Sequence, residues 1–213
     1  DGNEYIDLCL GDTGSMTGHS PAATVRAIEG QLKRGMTAML PTDDSVAVSS
    51  ELAKRFGLPL WQFTVSATDA NRHAIRYARL ITGKSKIVVI DRCYHGSVDE
   101  TFATLDSSGR TVAREGNIGA PVPLDQTTRV VEFNDLVGME AALKSGDVAA
   151  ILMEPAMTNV GIVLPDDGYL VAVGELAKRY GAVWIIDETH TISVGPGGMT
   201  KDLGLKPDIL TIG

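Results

Sequence analysis

The chain has 213 residues, enough to bury a sizeable core in one large α/β domain, or in one large domain with a small appended piece. A formal net charge of −8, with no clustering of Lys and Arg, excludes a nucleic-acid-binding surface, which needs grouped cations for the phosphates. No apolar run approaches the roughly 18 residues of a membrane-spanning helix, and a hydrophobic content of 44% beside 22% charged residues predicts a soluble globular protein that does not insert into a membrane.

Two cysteines, Cys9 and Cys93, lie far apart in core-type sequence. They are expected to be buried free thiols in a reducing compartment, and no signal peptide precedes them, so the expected location is cytoplasmic. Neither end reads as a natural terminus. Residues 1–7 look like a turn entering a strand in mid-fold and residues 208–213 stop at the end of a strand, so the chain is expected to be part of a longer protein.

In chain order, Tyr5 to Leu10 reads as a short strand and residues 11–21 as a glycine-rich loop. Pro21 to Gly30 suits a helix with proline in its first turn, and Ser45 to Gly57 a second helix closed by glycine. Gln62 to Val65 reads as another short strand. It feeds Ser66-Ala67-Thr68-Asp69 and then an amphipathic helix marked by Ala70, Ala74, Ile75 and Ala78 that ends at Gly83. A strand, a hydroxyl-rich turn and a helix N-terminus in succession make a ready anion site, because free N–H groups converge where the helix dipole is positive; simple capping by Ser66 or Thr68 is the plainer alternative.

Lys86 to Asp91 is a buried strand leading to Tyr94-His95-Gly96, where an aromatic ring stands ready to stack on a flat ligand or to pack. Residues 107–128 lack periodicity and read as a long, mobile connection. Strand and helix then alternate: Arg129 to Phe133, a helix from Asp135 to Lys144 stopped by Gly146, Ala149 to Met153 ending in Glu154-Pro155, and a helix from Gly168 to Tyr180 closed by Gly181. This alternation predicts a mainly parallel sheet flanked by helices, with no internal repeat and no second domain boundary.

The last full strand, Ala182-Val183-Trp184-Ile185-Ile186, runs without a polar break into Asp187-Glu188-Thr189-His190. Such a run is a strand buried on both faces, and in open α/β sheets ligands sit at the carboxyl ends of the strands. A carboxylate there is costly unless a cation, a donor or water meets it, so Asp187 needs a partner; a helix cap or a solvated loop acid is the simpler reading of the motif alone.

Taken together, Gly18-His19-Ser20-Pro21, Ser66-Ala67-Thr68-Asp69-Ala70-Asn71, Tyr94-His95-Gly96, Glu154-Pro155 with Asn159 and Gly161, Asp187-Glu188, Gly195-Pro196-Gly197-Gly198, and Pro207 to Gly213 resemble, in order and spacing, the class III (subgroup II) aminotransferases. These are pyridoxal 5′-phosphate (PLP) enzymes of fold type I, and the group includes glutamate-1-semialdehyde aminomutase. The resemblance covers the whole chain and implies that residues 1–213 form an incomplete PLP-binding large domain. It gives Asp187 the role of holding the pyridinium nitrogen protonated, so that the ring acts as an electron sink. Ser66, Ala67 and Thr68 would cradle the phosphate, Tyr94 would stack on one ring face, and His95 would line the same pocket. Glu154 and Asn159 match positions near the O3′ side, and Thr189 the residue packing the other face.

The chain departs from the family in places. Ala67 stands where glycine is usual, Asp69 where glutamate is, Thr189 where valine is, and His190 where methionine or glutamine is. His190 is expected to orient Asp187, or else to touch substrate. Residues 191–194 are one residue short and lack the arginine often found there. Lys84, Lys86, Lys201 and Lys206 do not fit the Schiff-base position, so the resemblance places that lysine directly after Gly213. The reaction it implies is transamination between an amino compound and a keto acid through a Schiff base and pyridoxamine phosphate, in a homodimer. An aminomutase, racemase or decarboxylase of the same fold remains open, as does a non-catalytic α/β binding domain.

Overall fold

The computed structural model describes residues 1–37 and 39–213. It divides into two compact units, Asp1–Trp61 and Gln62–Gly213, at a point where composition marks no boundary.

The first unit holds α1 (Ala22–Leu32), which follows Pro21, and α2 (Asp43–Phe56). The α2 helix begins where the Thr42 hydroxyl accepts the Ser45 N–H at 3.4 Å, and it ends at Gly57, whose φ of 73° lets its N–H reach back to the Ala53 carbonyl. None of the described residues of this unit is buried. The strand expected at Tyr5 to Leu10 is not formed. Asp7 turns the chain instead, its carboxylate accepting the N–H groups of Cys9, Leu10 and Gly11 at 2.9, 2.9 and 3.1 Å, which a ladder would otherwise use. Cys9 is exposed, against expectation, because it lies in this turn, whereas Cys93 is buried; both are free thiols.

The second unit carries the core. After α3 (Ala67–Thr82) come β1 (Lys86–Ile90), the short antiparallel pair β2 (Ala103–Leu105) and β3 (Thr111–Ala113), β4 (Thr128–Val131), α4 (Leu136–Leu143), β5 (Val148–Met153), α5 (Tyr169–Tyr180), β6 (Val183–Asp187), α6 (Gly198–Asp202) and β7 (Ile209–Thr211). Five strands form one parallel sheet in the order β4-β1-β5-β6-β7. All six residues of β5 and all five of β6 are buried, as their unbroken apolar runs require of central strands covered on both faces. Gln62 to Val65 is irregular rather than a strand, and no strand runs beside it among the described residues. The stretch 107–128 is not wholly irregular, since it contains β3, which pairs with β2 just before it.

Helix α3 sets the site. Ser66, in extended conformation, caps it by accepting the Asp69 N–H at 3.3 Å, and Gly83 closes it at φ 68°. Its buried face is Asn71, Ala74, Ile75 and Ala78, one stripe at helical spacing laid on β5, β6 and β7. Burying Ile75 contributes about 1.5–3 kcal/mol. Ala78 has no exposed surface, so a larger side chain there would overpack the contact at a cost of about 1–3 kcal/mol. The exception in this stripe is the polar Asn71.

Candidate active site

The carboxyl ends of β5 and β6 and the first turn of α3 deliver the polar residues of the second unit to one place. Register puts Asp187, the last residue of β6, opposite Thr211 of β7. Asp187 is 3% exposed and accepts at both oxygens. Oδ2 takes the Asn71 side-chain N–H at 2.8 Å and bonds His95 Nδ1 at 2.9 Å, while Oδ1 takes the Thr189 N–H at 3.0 Å and its hydroxyl at 2.6 Å. Asn71 is itself fixed: its second N–H bond goes to the His95 carbonyl at 3.2 Å, and its Oδ1 accepts the Thr211 hydroxyl at 2.7 Å.

Burial by itself would raise the Asp187 pKa, but the hydrogen bond and charge of His95 and the two Thr189 donors outweigh it and hold the carboxyl at about 2. For His95, burial opposes a charge on the ring; Cys93 and the Asp187 carboxylate outweigh it and hold its pKa well above 6.5. Geometry favours Asp187 as the stronger partner, because it bonds His95 Nδ1 at 2.9 Å whereas His95 Nε2 meets no acceptor, thiol included. Asp187 is thus kept as an anion by its surroundings.

The motif Tyr94-His95-Gly96 docks on the first turn of α3. Gly96 has φ 76°, and a Cβ there would fall 2.0 Å from Thr68 Oγ1, so only glycine fits. The Ser97 N–H donates to that same hydroxyl at 3.0 Å. Tyr94 leaves the loop half exposed. Ser66 and Thr68 therefore each accept one internal bond, and each keeps its own O–H to donate. Ala67 lies beside Thr189 and Gly213: a Cβ on Gly213 would be 2.4 Å from the Ala67 Cβ and 3.2 Å from Thr189 Cγ2.

Glu154 follows β5, is 7% exposed, and accepts the Thr158 hydroxyl at Oε2. Its Oε1 is buried without a partner, and burial pushes its pKa above 4.5. Asn159, exposed, uses its amide on the Arg92 carbonyl at 3.0 Å. His190 does not orient Asp187. Its Nδ1 bonds the Thr158 hydroxyl, because the chain turns after Thr189 into residues 191–194; the orienting histidine is His95. Glu188 faces away from this cluster and is structural. It is fully buried, accepts the Met199 and Thr200 N–H groups and the Thr191 hydroxyl, and fills the space where a Cβ on Gly198 (φ 61°) would lie. This gives Gly198, the last residue of the Gly195 to Gly198 motif, its requirement for glycine.

Sequence reasoning passed over Asn71, Thr158 and Thr211. Asn71 left a signal, a polar residue at the i, i+3, i+4, i+7 spacing of a buried stripe; Thr158 and Thr211 left none. A concave region of about 1290 Å³, lined among others by Arg110, Pro123 and Arg129, lies on the β3–β4 side, and none of the residues assembled around Asp187 lines it. The converging polar groups, not this hollow, mark the site.

The aminotransferase class-III family profile matches residues 1–213. A glutamate-1-semialdehyde 2,1-aminomutase from Methanothrix thermoacetophila is 35% identical over the whole chain and 50% of its own length. Among solved structures, a glutamate-1-semialdehyde aminomutase from Pseudomonas aeruginosa superposes with a TM-score of 0.96 at 53% identity, covering 98% of this chain and 46% of that one. A lysine-to-alanine variant of an aminomutase from the same organism, solved in complex with PMP, gives the same TM-score of 0.96. An omega-transaminase from Sphaerobacter thermophilus follows at a TM-score of 0.88 and 30% identity, over 96% of this chain and 49% of that one. The chain spans about half the length of these relatives. Its parallel sheet with flanking helices is the fold type I architecture of PLP-dependent transferases. The chain belongs to the class III aminotransferases.

Proposed function

We propose that the full-length protein binds PLP and uses it to move an amino group between an amino compound and a keto acid. The observation that carries this reading is Asp187: a carboxylate kept ionised at a buried strand end, beside a helix N-terminus, with every neighbouring donor directed to holding it in place. When bound, the cofactor supplies an electron sink for the substrate carbanion.

The residues present fit that group. A carboxylate offers about four acceptor sites, and in this chain all four are taken. Of the donors on Asp187, the Thr189 hydroxyl is the one able to rotate away, since Asn71 and His95 are locked in the interior, and Asp187 would then have an acceptor site with which to hold a protonated ring nitrogen. His95 and Asn71 would keep Asp187 in position. The N–H groups of Ala67 and Thr68 lie in the first turn of α3, where no intrahelical acceptor exists, and with the hydroxyls of Ser66 and Thr68 they are the donors for the phosphate. Tyr94 offers its ring at the open side. Glu154 presents its unpartnered Oε1, and Asn159 lies in the segment that follows it. Gly213 lies against Ala67 and Thr189, beside the donors of the first turn of α3, and we assign the cofactor-anchoring lysine to the position that follows it.

The names of the aminomutase relatives favour a second reading, in which the amino group moves within one substrate. A first test is the yellow absorbance of full-length protein and its bleaching by an amino donor. A colourless protein that takes up no PLP, or any residue but lysine after Gly213, overturns the cofactor reading. Transamination is then separated from mutation by product analysis: a released keto product with an amino donor alone supports the first, and isomerisation of glutamate-1-semialdehyde without a keto acceptor supports the second. We further propose a cytoplasmic homodimer, in keeping with the resemblance; sedimentation of the full-length protein as a monomer would overturn the dimer.

A further inference from the structure

Thr158 stands between two titratable groups and owns one proton. Its hydroxyl bonds Glu154 Oε2 on one side and His190 Nδ1, 2.5 Å away, on the other. A hydroxyl has one O–H to give and lone pairs with which to accept, so two arrangements satisfy both contacts. With Glu154 ionised, Thr158 donates to the carboxylate and His190 must donate its Nδ1–H to Thr158. With Glu154 protonated at Oε2, the acid donates to Thr158, whose O–H turns to an unprotonated Nδ1. A proton on Oε1 instead would face no acceptor in the chain. Protonation of Glu154 and the tautomer of His190 are therefore tied together through the threonine.

The two ends of this chain of bonds differ in access. Glu154 is buried and its Oε1 has no hydrogen-bond partner within the described residues. His190 is only half buried, and its Nε2 makes no hydrogen bond within the described residues, so it is the more accessible end. The groups facing Glu154 are Thr158 in its own segment, His95 from the loop after β1, Asp187 at the end of β6, and His190 beyond it. Thr158 and the two histidines favour its ionised form, whereas burial and Asp187 favour the proton.

We propose that Glu154, Thr158 and His190 form a proton wire between the buried end of the site and solvent. Outward, Glu154 gives its proton to Thr158 Oγ1 while Thr158 gives its own to His190 Nδ1, and the imidazolium so formed releases the Nε2 proton to water. One proton leaves, no electron moves, and the bonds end in the ionised arrangement; inward transfer runs the same hops in reverse. Thr158 and His190 act through Glu154 and are positioning residues. The wire consists of this chain's own side chains and stands whether or not PLP is the ligand.

The test is NMR of full-length protein labelled with ¹⁵N-histidine and ¹³C-glutamate, titrated with and without PLP. In the wild type, the Glu154 carboxyl and His190 Nδ1 signals should move together through shared steps, as groups do when they interact by more than about one pK unit. Thr158→Val keeps the shape and removes the hydroxyl, so the two signals should then follow separate curves, and Thr158→Ser should restore the joint titration. Independent curves in the wild type, or a joint titration that survives Thr158→Val, would overturn the wire. Should the valine variant fail to fold, Glu154→Gln serves: the shared steps should vanish from the His190 Nδ1 signal, and their persistence would overturn the proposal. Loss of the cofactor reading is read separately, as no spectral change on adding PLP.

Discussion

Asp187 and Glu154 stand at the ends of neighbouring parallel strands, both buried and both acidic, yet their surroundings drive them in opposite directions. Asp187 has four donors on two oxygens and is held at about 2. Glu154 has the Thr158 hydroxyl on one oxygen and nothing on the other, and is pushed above 4.5. Burial is the largest influence on both and raises both. The difference therefore lies in the number of donors each meets. Pairs of titratable groups separated in this way are how one site keeps a fixed charge beside an exchangeable proton.

The contrast breaks most visibly if each carboxylate is removed. Asp187→Ala leaves the charged His95 buried without its partner and should cost about 3–5 kcal/mol of folding stability. Glu154→Ala removes a group already short of partners and should cost no more than about 1–3 kcal/mol. Urea midpoints of the full-length variants measure both, and equal losses would erase the distinction. Next in size is the effect on activity. Asp187→Asn keeps the volume but loses the charge, and the full-length variant should lose on the order of 10²-fold in turnover, about 3 kcal/mol of transition-state stabilisation. Near wild-type turnover would remove Asp187 from the chemistry.

Acidity sharpens the comparison further. The stabilisation from Asp187, whose pKa is lowered from 3.8 to about 2, is complete above pH 3.8 and is lost as the pH falls towards 2. Glu154, raised above 4.5, has the opposite sign: its contribution is complete below pH 4.5 and is lost as the pH rises through its folded-state value. Glu154→Gln has no proton to lose, so it should flatten the decline above pH 4.5 and leave the acid limb unchanged. A decline that persists in this variant would refute the assignment. The smallest effect concerns the anion end of the site. Ser66→Ala removes the α3 cap and should cost about 1 kcal/mol, while Ser66→Ala with Thr68→Ala should weaken PLP retention in the full-length protein more than it lowers the apo melting temperature. Retention unchanged in the double variant would free both hydroxyls from the phosphate.

The strands β1, β5 and β6 were legible in sequence because a central parallel strand buries every residue and so writes an unbroken apolar run. Helix ends were legible at Gly57, Gly83 and Gly181, with φ of 73°, 68° and 61°, because the left-handed turn that closes a helix selects glycine locally. Asp187 itself stood out as a carboxylate with no local reason to be buried. Its partners did not, since Asn71 and His95 lie 116 and 92 residues away along the chain and meet it only when α3 and the loop after β1 close over β6. The strands expected at 5–10 and 62–65 failed for a related reason: a strand exists only when another offers it a ladder, and no local pattern says whether one will. His190, adjacent to the motif, looked like the residue to orient Asp187, yet the turn after Thr189 carried it to Thr158. The sequence by itself determined the central strands, the glycine-closed helix ends and the carboxylate, because these follow from local conformation and from the period of apolar residues. Only the tertiary structure decided which charges are held and which are exchanged, because a buried carboxylate's ionisation depends on donors brought in from distant parts of the chain.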